Sequence, residues 1–550
     1  MLPLPRRRAL ALLALVVGMA LGVLAGSTPA GAHATLQGTS PSDDAVVDEV
    51  PAAIVLTFDE PVSASTGAVQ VIAPEGGRVD GSVDRTDGGR SVSIGVDGDA
   101  RGTYTVAYRV VSDDGHTISG SFVFHVGERT GAATIDQTIP TSTSAVGGVG
   151  RWLGYAGAAV AVGSALLLVL LRRGPAPAAT AATTALGTLV VGGAAASALG
   201  TTAALVAQTA TTTGRSLVGA LSLVPDVAGD SRSVAVALLR AAVLVGATLV
   251  GVAGRARRLP GVLVATGVLV AAAGLLAPVA GHPWTADPRG LAVPADALHL
   301  LAASVWLGML VGLAVVAPRL ADPDHAVRLV SRSAVVAAAV VVVTGATSAW
   351  LLLGSVEAAT DTGSGQLVLL KVLGFGVLVG LGWVNRSRLV PLLGRLADDG
   401  APDRRSAVAR GRLLQVVRAE VLVGALVLAV TAGLVNQPPG RDTLAQPYSD
   451  VRTVEDLTLL LEVTPARAGD NTMHLYLTDA AGQPAKYDAL EITVSRDGIP
   501  PRRLDGVTPI SPDHASVYGA SLPSPGTWTV AVTTVTDTTP RQFSFEVPLR

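Results

Sequence analysis

Hydrophobic and polar positions divide the chain into two kinds of segment. Short runs of alternating polarity, separated by Gly, Pro and Asp, fill residues 33–126 and return between 437 and 550. Between them lie eight long apolar runs, each about long enough to cross a bilayer as a helix. The pattern predicts a multi-domain membrane protein with an N-terminal Ig-like β-sandwich or barrel, an eight-helix transmembrane bundle and a small C-terminal β-sandwich.

The boundaries of these elements follow from the same pattern. The predicted strands are residues 53–58, 67–72, 91–96, 103–111 and 121–126 in the N-terminal part, and 456–463, 473–478, 490–495, 528–535 and 542–547 in the C-terminal part. The sequence Asp-Ala-Ala-Gly-Gln at 479–483 predicts a hairpin turn. The predicted spans are 150–171, 182–208, 233–254, 260–280, 295–318, 333–353, 366–385 and 419–436.

The first residues follow the order of a secretory signal peptide. Three arginines, Arg6 to Arg8, precede an apolar run, and Ala30-Gly31-Ala32 supplies the small residues of a cleavage site. Cleavage after Ala32 makes His33 the first residue of the mature chain. The predicted domains are a signal peptide at 1–32, a β-domain at 33–126, a Gly/Thr/Ser-rich linker at 127–148, a membrane domain at 149–436 and a second β-domain at 437–550.

Arginines are distributed unequally between the loops that connect the spans. The loops after spans one, three, five and seven, with their flanks, hold sixteen: Arg172, Arg173, Arg255, Arg257, Arg258, Arg319, Arg328, Arg332, Arg386, Arg388, Arg395, Arg404, Arg405, Arg410, Arg412 and Arg418. The opposite loops hold Arg215, Arg232 and Arg289. Because arginine-rich loops stay in the cytoplasm, both β-domains are expected outside the cell membrane.

Composition removes several classes of function. The 550 residues are 49% hydrophobic and 15% charged, which is typical of a multi-pass protein surrounded by lipid. The absence of cysteine excludes disulfides and thiolate metal sites, so any metal must be held by nitrogen and oxygen. No phosphate-binding Gly-Lys-Ser/Thr loop and no phosphorylatable Asp-Lys-Thr-Gly segment occurs, so we expect no nucleotide partner and no ATP-driven pumping. We also expect neither nucleic acid binding nor enzymatic activity.

A set of metal ligands can be assembled in the N-terminal domain. A free N-terminal His33 offers its α-amine and its imidazole, and Asp114 and His116 add a carboxylate and a second imidazole two residues apart. Positions i and i+2 of an extended strand point the same way. Such a nitrogen and oxygen set suits Cu(II), which divalent sites bind most strongly among the first-row ions.

The N-terminal domain resembles the bacterial periplasmic copper-resistance protein CopC. The resemblance rests on the N-terminal His33-Ala, on Val-Leu-Thr-Phe-Asp-Glu-Pro-Val at 55–62 and on Val-Val-Ser-Asp-Asp-Gly-His-Thr-Ile-Ser-Gly-Ser-Phe-Val-Phe at 110–124. It implies a Cu(II) site made by His33, Asp114 and His116. The Met-rich Cu(I) site of some members is not expected, because no methionine lies between Met19 and Met309.

The membrane domain resembles the companion protein CopD, an integral membrane copper protein often fused to CopC in Gram-positive bacteria. The matching pieces are Gly281-His282, His-Leu-Leu-Ala-Ala-Ser-Val-Trp-Leu-Gly at 299–308, Leu-Leu-Lys-Val at 369–372 and Asn385-Arg386. The C-terminal domain is similar to small extracytoplasmic β-domains appended to such fusions.

Ionisable residues inside the predicted spans are the second candidate site. Asp296, His299 and Trp306 share one face of span five, and His282 ends span four on the same side of the membrane. Because buried ionisable groups are costly in lipid, we expect His282 and His299 to converge on copper with Asp296 orienting one of them. Trp306 is expected to pack only.

We expect simpler roles for four other polar residues. Arg240 lies deep in span three and is expected to pair with an acidic group or to line a wet cavity. Lys371 is expected to reach the outer interface, and Arg418 and Glu420 to anchor the cytoplasmic end of span eight.

These residues predict a membrane protein that captures Cu(II) outside and accepts or translocates copper, in uptake or resistance. Two alternatives stay open. In the first, His282 and His299 are axial ligands of a haem in an electron-transfer protein. In the second, the histidine-terminated domain is an oxidative copper enzyme acting on polysaccharide, against which its small size and carboxylate ligand argue. His474 and His514 would form an auxiliary site if they are adjacent.

Overall fold

The structure is a computed structural model that describes residues 36–549, apart from 44, 59–60, 65–67, 113–114, 116, 132, 134–139, 175–179, 321–322, 399–402, 444–447, 465, 481–484, 497, 512 and 537. The chain divides into two compact units: the helical part, and a unit formed by the two β-domains. The predicted signal peptide at 1–32 lies outside the described residues.

The N-terminal domain is built from two sheets. Its strands are Leu36–Ser40 (β1), Ala45–Val47 (β2), Ala53–Phe58 (β3), Val62–Ser63 (β4), Val69–Ile72 (β5), Asp80–Thr86 (β6), Ser91–Val96 (β7), Gly102–Ser112 (β8) and Thr117–Val126 (β9). One sheet has the order β1-β3-β7-β6, and the other has β2-β9-β8-β4 with β5 also paired to β8. The fold is thus the predicted β-sandwich.

Alternation of polarity produces the core of this sandwich. Successive residues of a strand point to opposite faces, and in β3 the residues Ile54, Leu56 and Phe58 are buried while those between them are partly exposed. They pack with Val92 and Ile94 of β7 and with side chains of the second sheet. Tyr104 and Phe124 of that sheet stack with ring centroids 5.1 Å apart.

Among the described residues, eight helices of the helical unit are long and apolar enough to cross a membrane, as predicted. They are Thr141–Arg172 (α1), Thr180–Thr213 (α2), Arg232–Ala256 (α3), Pro260–Leu275 (α4), Arg289–Val316 (α5), Asp324–Leu353 (α6), Gly363–Val384 (α7) and Asp403–Leu434 (α8). Four begin at least six residues earlier than predicted: α1 starts within the predicted linker, α5 at Arg289, α6 at Asp324 and α8 at Asp403.

Small residues allow the first two helices to pack closely. Gly150, Gly154 and Gly157 of α1 lie against Gly193 and Gly200 of α2. A Cβ atom at Gly193 would lie 2.7 Å from the backbone nitrogen of Ala161, so only glycine fits there. Close backbone approach of this kind holds helices together in lipid, where burial of apolar side chains gives no advantage.

The C-terminal domain is a second sandwich. Its strands are Tyr448–Val454 (β10), Leu457–Thr464 (β11), Gly469–Asp479 (β12), Ala489–Arg496 (β13), Ile499–Arg503 (β14), Val507–Ser511 (β15), His514–Leu522 (β16), Gly526–Thr536 (β17) and Thr539–Leu549 (β18). The sheets have the orders β10-β11-β12-β16-β15 and β14-β13-β17-β18. Trp528, Phe543 and Phe545 are fully buried in the core.

The prediction of a β-hairpin at 479–483 is wrong. Strand β12, which ends at Asp479, pairs with β11 and β16, whereas the next strand, β13, pairs with β14 and β17 in the other sheet. The connection therefore crosses between sheets. Its turn-forming residues are equally suited to a crossing loop, so local composition did not distinguish the two.

Candidate metal centre

The predicted Cu(II) ligands His33, Asp114 and His116 lie outside the described residues. The strands that flank two of them are described: β8 ends at Ser112 and β9 begins at Thr117, with Val111 paired to Thr117. In the sequence, Asp114 and His116 lie between these two strands. The set stays a prediction.

His282 is positioned at the end of the bundle by a short helical turn, His282–Thr285. Its Nε2 atom lies 3.2 Å from the backbone oxygen of Gln437. The neighbouring Trp284 ring is contacted by two guanidinium groups, of Arg232 at 4.3 Å and of Arg289 at 4.4 Å from the ring centroid. These cation–π contacts hold the turn that carries His282.

His299 is held on α5 by a neighbouring helix. Its Nδ1 atom lies 3.1 Å from the hydroxyl of Thr344 on α6, and that hydroxyl also donates to the backbone oxygen of Val340. The next residue, Gly345, leaves room for the ring, since a Cβ atom there would lie 3.2 Å from His299 Cε1. Because the hydroxyl proton is used, the geometry fits the tautomer in which His299 Nδ1 donates to Thr344 and Nε2 carries the lone pair.

Lys371 of α7 lies near the ionisable residues of α5. Its ammonium interacts electrostatically with both Asp296 and His299. That it reaches the outer interface stays a prediction. Tyr155 of α1 also lies close enough to interact with Asp296. We call Asp296, His299 and Lys371 the ionisable cluster. Its signal in the sequence is the lone lysine of an otherwise apolar span.

Arg240 differs from its predicted role. Its Nε atom donates a hydrogen bond of 3.1 Å to the backbone oxygen of Ala273 on α4, and its charge interacts with Tyr155. The partners found in the structure are therefore a carbonyl and a phenol, not a carboxylate, and the other predicted role, lining a wet cavity, stays a prediction. Ala273 lies in the last turn of α4, where its carbonyl also accepts a hydrogen bond from the backbone N–H of Leu276.

A cavity of about 200 Å³ lies farther along α5. Trp306 forms part of its wall and packs edge-to-face against Phe375 with ring centroids 5.7 Å apart. Glu420 and Asn385 also line it. Glu420 is 3% exposed and accepts a hydrogen bond from Asn385, whose Oδ1 atom has no partner among the described residues. The prediction of Glu420 as an interfacial anchor is wrong.

The described residues contain no group of three or more His, Cys, Asp or Glu side chains close enough to hold a metal ion. His282, Asp296 and His299 thus do not form a complete preassembled site, and each imidazole has a hydrogen-bond partner of its own. Their convergence on copper stays a prediction.

Comparison with known proteins identifies two parts of the chain. Residues 36–127 match the family model of the CopC domain, and residues 324–434 match that of copper resistance protein D. The chain joins a CopC domain to a CopD domain. The CopD match includes Lys371, Asn385 and Glu420, whereas His282, Asp296 and His299 precede it.

Individual relatives agree with the two family matches. The copper transport protein CutJ of Bacillus subtilis (strain 168) is 23% identical over 486 residues, which cover 85% of this chain and 86% of CutJ. The crystal structure of CopC from Methylosinus trichosporium OB3b is 26% identical and covers 18% of this chain and all of that one, with a TM-score of 0.16. PcoC, a methionine-rich copper resistance protein from Escherichia coli, is 28% identical over 17% of this chain and 99% of its own, also with a TM-score of 0.16.

Proposed function

We propose that this protein binds copper with its CopC domain and passes copper through its membrane domain. One observation carries the proposal: a CopC domain is joined in one chain to eight candidate membrane spans that hold a cluster of ionisable side chains. We assign no catalytic step to the protein. Copper is its cargo.

Capture is assigned to His33, Asp114 and His116. The amine and imidazole of a terminal histidine form a chelate, and a second imidazole with a carboxylate completes a nitrogen and oxygen set that favours Cu(II) over the other divalent first-row ions. The domain has no cysteine or methionine to stabilise Cu(I). This is the reason for assigning Cu(II) to the outer site.

Transfer is assigned to the ionisable cluster. In the absence of an ion, the Lys371 ammonium compensates the negative charge of Asp296 inside the bundle. A copper ion bound by His299 would take over this compensation, because two cations beside one carboxylate repel each other strongly in a medium of low dielectric constant. Entry of copper is thereby coupled to displacement of the lysine. His282 is proposed as the ligand that meets the ion first.

Glu420 and Asn385 are proposed as the far end of the path. The carboxylate and the unpartnered amide oxygen of Asn385 face one cavity, and both are oxygen ligands in an otherwise apolar bundle. Trp306 lies on α5 after His299 and forms part of the cavity wall. The path thus follows α5 from its polar beginning to this cavity.

The orientation is proposed from the arginine distribution. Multi-pass insertion with the arginine-rich loops inside places the CopC domain and the C-terminal domain outside the cell membrane. The CopC domain then meets copper before the bundle does.

Copper accumulation tests the proposal. Cells with and without the gene are grown in copper, and cell-associated copper is measured by elemental analysis. We expect a clear difference that His299→Ala and Lys371→Met reduce to the level of cells without the gene, at unchanged protein abundance in the membrane. Leu370→Met, a neighbouring change on α7, is the matched control and should behave as wild type. Equal copper in cells with and without the gene would exclude transport.

Convergence of His282 and His299 can be tested separately because the natural chain has no cysteine. The double variant His282→Cys/His299→Cys should be cross-linked by a short bifunctional thiol reagent in membranes, whereas His282→Cys/Leu298→Cys, with the second thiol on another face of α5, should not. Equal cross-linking of the two pairs, or none of either, would contradict a shared site.

A further inference from the structure

Two buried histidines meet in the C-terminal domain, away from the sites assigned above. His474 lies on β12 and His514 begins the neighbouring strand β16. In the register of these strands His474 faces Ser516. The histidines are 8% and 1% exposed, and Ser516 is fully buried. The pairing of β12 with β16, which are 35 residues or more apart along the chain, brings these polar groups together inside the domain.

Two histidine nitrogens and one serine hydroxyl lie close together here. His474 Nδ1 lies 3.1 Å from His514 Nε2, and the hydroxyl of Ser516 lies 2.8 Å from the first nitrogen and 3.2 Å from the second. An ion at about 2.0 Å from both nitrogens would subtend an angle of about 100° between them, which lies between tetrahedral and tetragonal geometry. The observed nitrogen separation therefore suits two ligands of one ion without movement of the strands.

The outer nitrogen of His514 is fixed by the other β-domain. Its Nδ1 atom lies 3.1 Å from the hydroxyl of Ser42, which is buried between β1 and β2 of the CopC domain. A proton on Nδ1 that is donated to Ser42 leaves the lone pair of Nε2 directed at His474. Such a partner on the outer nitrogen is typical of histidines that bind metal.

An aromatic ring covers one side of the histidine pair. The ring of Tyr476 stacks on His514 with centroids 4.2 Å apart, and the charges of Glu462, Asp43 and Asp513 all act on that tyrosine. Burial lowers the pKa of His474 to about 4, and burial together with His474 lowers that of His514 to about 3. Both imidazoles are therefore neutral at pH 7, as metal ligation requires.

We propose that His474 Nδ1, His514 Nε2 and Ser516 Oγ bind one borderline divalent metal ion, Cu(II) in preference to Zn(II). The preference for Cu(II) follows from the nitrogen-rich set and from its place at the top of the affinity order of divalent ions. The hydrogen bonds of the metal-free form satisfy the same atoms, so the site is stable before metal arrives. On binding, the proton of His474 moves from Nδ1 to Nε2, and the imidazole stays neutral.

This site gives the C-terminal domain a role that goes beyond the proposed capture and transfer. Strand β1, which begins three residues after His33, passes the pair: a Cβ atom on Gly38 would lie 4.0 Å from His474 Cε1 and 3.7 Å from the hydroxyl of Tyr518. The ring of His474 therefore lies beside the strand that follows His33 in the sequence.

The number of copper ions bound per full-length chain tests this site. The protein is purified in detergent with His116→Ala, which removes the predicted CopC site. It is loaded with Cu(II) and desalted, and the number of copper ions bound per chain is measured. Adding His474→Gln or His514→Gln should remove one equivalent. The matched control is His125→Gln. It replaces another buried histidine, whose ring lies 2.9 Å from the hydroxyl of Thr103, and it should remove no copper equivalent.

Electron paramagnetic resonance provides a measurement that needs no variant of the histidine pair. Cu(II) in a chain with His116→Ala and His299→Ala, which lacks a ligand of each of the two other proposed sites, should show coupling to two imidazole nitrogens, and Zn(II) should displace it only in excess. Retention of the equivalent by a folded His474→Gln chain, or a Cu(II) signal without nitrogen coupling, overturns the site. Neither result affects the outer site, whose failure would appear as unchanged binding in His116→Ala alone.

Discussion

Acidification should destabilise the sheet that contains His474 and His514. The ordinary pKa of histidine is 6.5, and burial lowers that of His474 to about 4. Between these two values the unfolded chain binds a proton at this residue and the folded chain does not. The contribution of His474 to the free energy of unfolding is therefore constant above about pH 7. It falls as the pH decreases from 6.5 to 4 and does not change further below pH 4.

The size of the effect follows from the two pKa values. Each pH unit between 6.5 and about 4 costs about 1.4 kcal/mol, so His474 alone removes about 3 kcal/mol by pH 4. This is a large part of the stability of a domain. His514 adds to the loss, although its proton binds later because His474 already carries charge.

Hydrogen exchange detects this loss locally in the full-length, metal-free protein. The opening free energy of amides in β12 and β16 is measured at pH 7.5 and pH 4, with correction for the intrinsic exchange rate. In His474→Gln the decrease between the two pH values should be smaller by about 3 kcal/mol, since glutamine does not titrate. Carboxylates and histidines other than His514 contribute equally to both proteins, and loss of the His474 charge can only make the His514 contribution smaller in the variant. The same pH dependence in both would refute the reasoning.

Three further predictions follow from particular residues. Gly193→Leu should greatly reduce folded protein in membranes because its side chain would collide with Ala161, at a cost of about 1–3 kcal/mol or more, whereas Gly192→Leu, which meets nothing within 4 Å, should accumulate normally. One extra residue before His33 should remove most Cu(II) affinity of the outer site with an unchanged fold, and unchanged binding would exclude the terminal amine as a ligand. Reporter fusions at about residue 400 should give a cytoplasmic signal, and fusions at about 290 and 500 an exterior one; the reverse at either outer position would contradict the arginine-based orientation.

The sequence predicted elements best where one physical signal dominated. Strand β3 was predicted to the residue because its alternation of buried and exposed positions matches the strand period. All eight spans were predicted because length and apolarity alone define them. Strand β6 was missed since its sequence, Asp-Gly-Ser-Val-Asp-Arg-Thr, lies at a sheet edge and has no apolar face.

Contacts between distant residues were not predictable in the same way. Lys371 and Asp296 lie on different helices, and no period in the sequence relates them, so the lysine was expected at the interface by its position alone. Glu420 was misjudged because the apolar run was taken to define the helix, although α8 begins at Asp403 and carries the glutamate inside the bundle. The adjacency of His474 and His514 depends on strand pairing, which the composition of β12 and β16 does not encode.

The three metal sites proposed for this chain differ in how readily each would release its ion, and this difference suits the transfer of copper. A site that hands on its ion must release it, and release is easiest where a protein group competes for the same ligand. Lys371 provides this competition in the membrane, because its ammonium can reclaim Asp296 as the ion leaves. The outer site is proposed from an amine, two imidazoles and a carboxylate without an ammonium among them, and the histidine pair of the C-terminal domain is neutral without metal. Affinity should therefore be lowest inside the bundle, where the ion has to move.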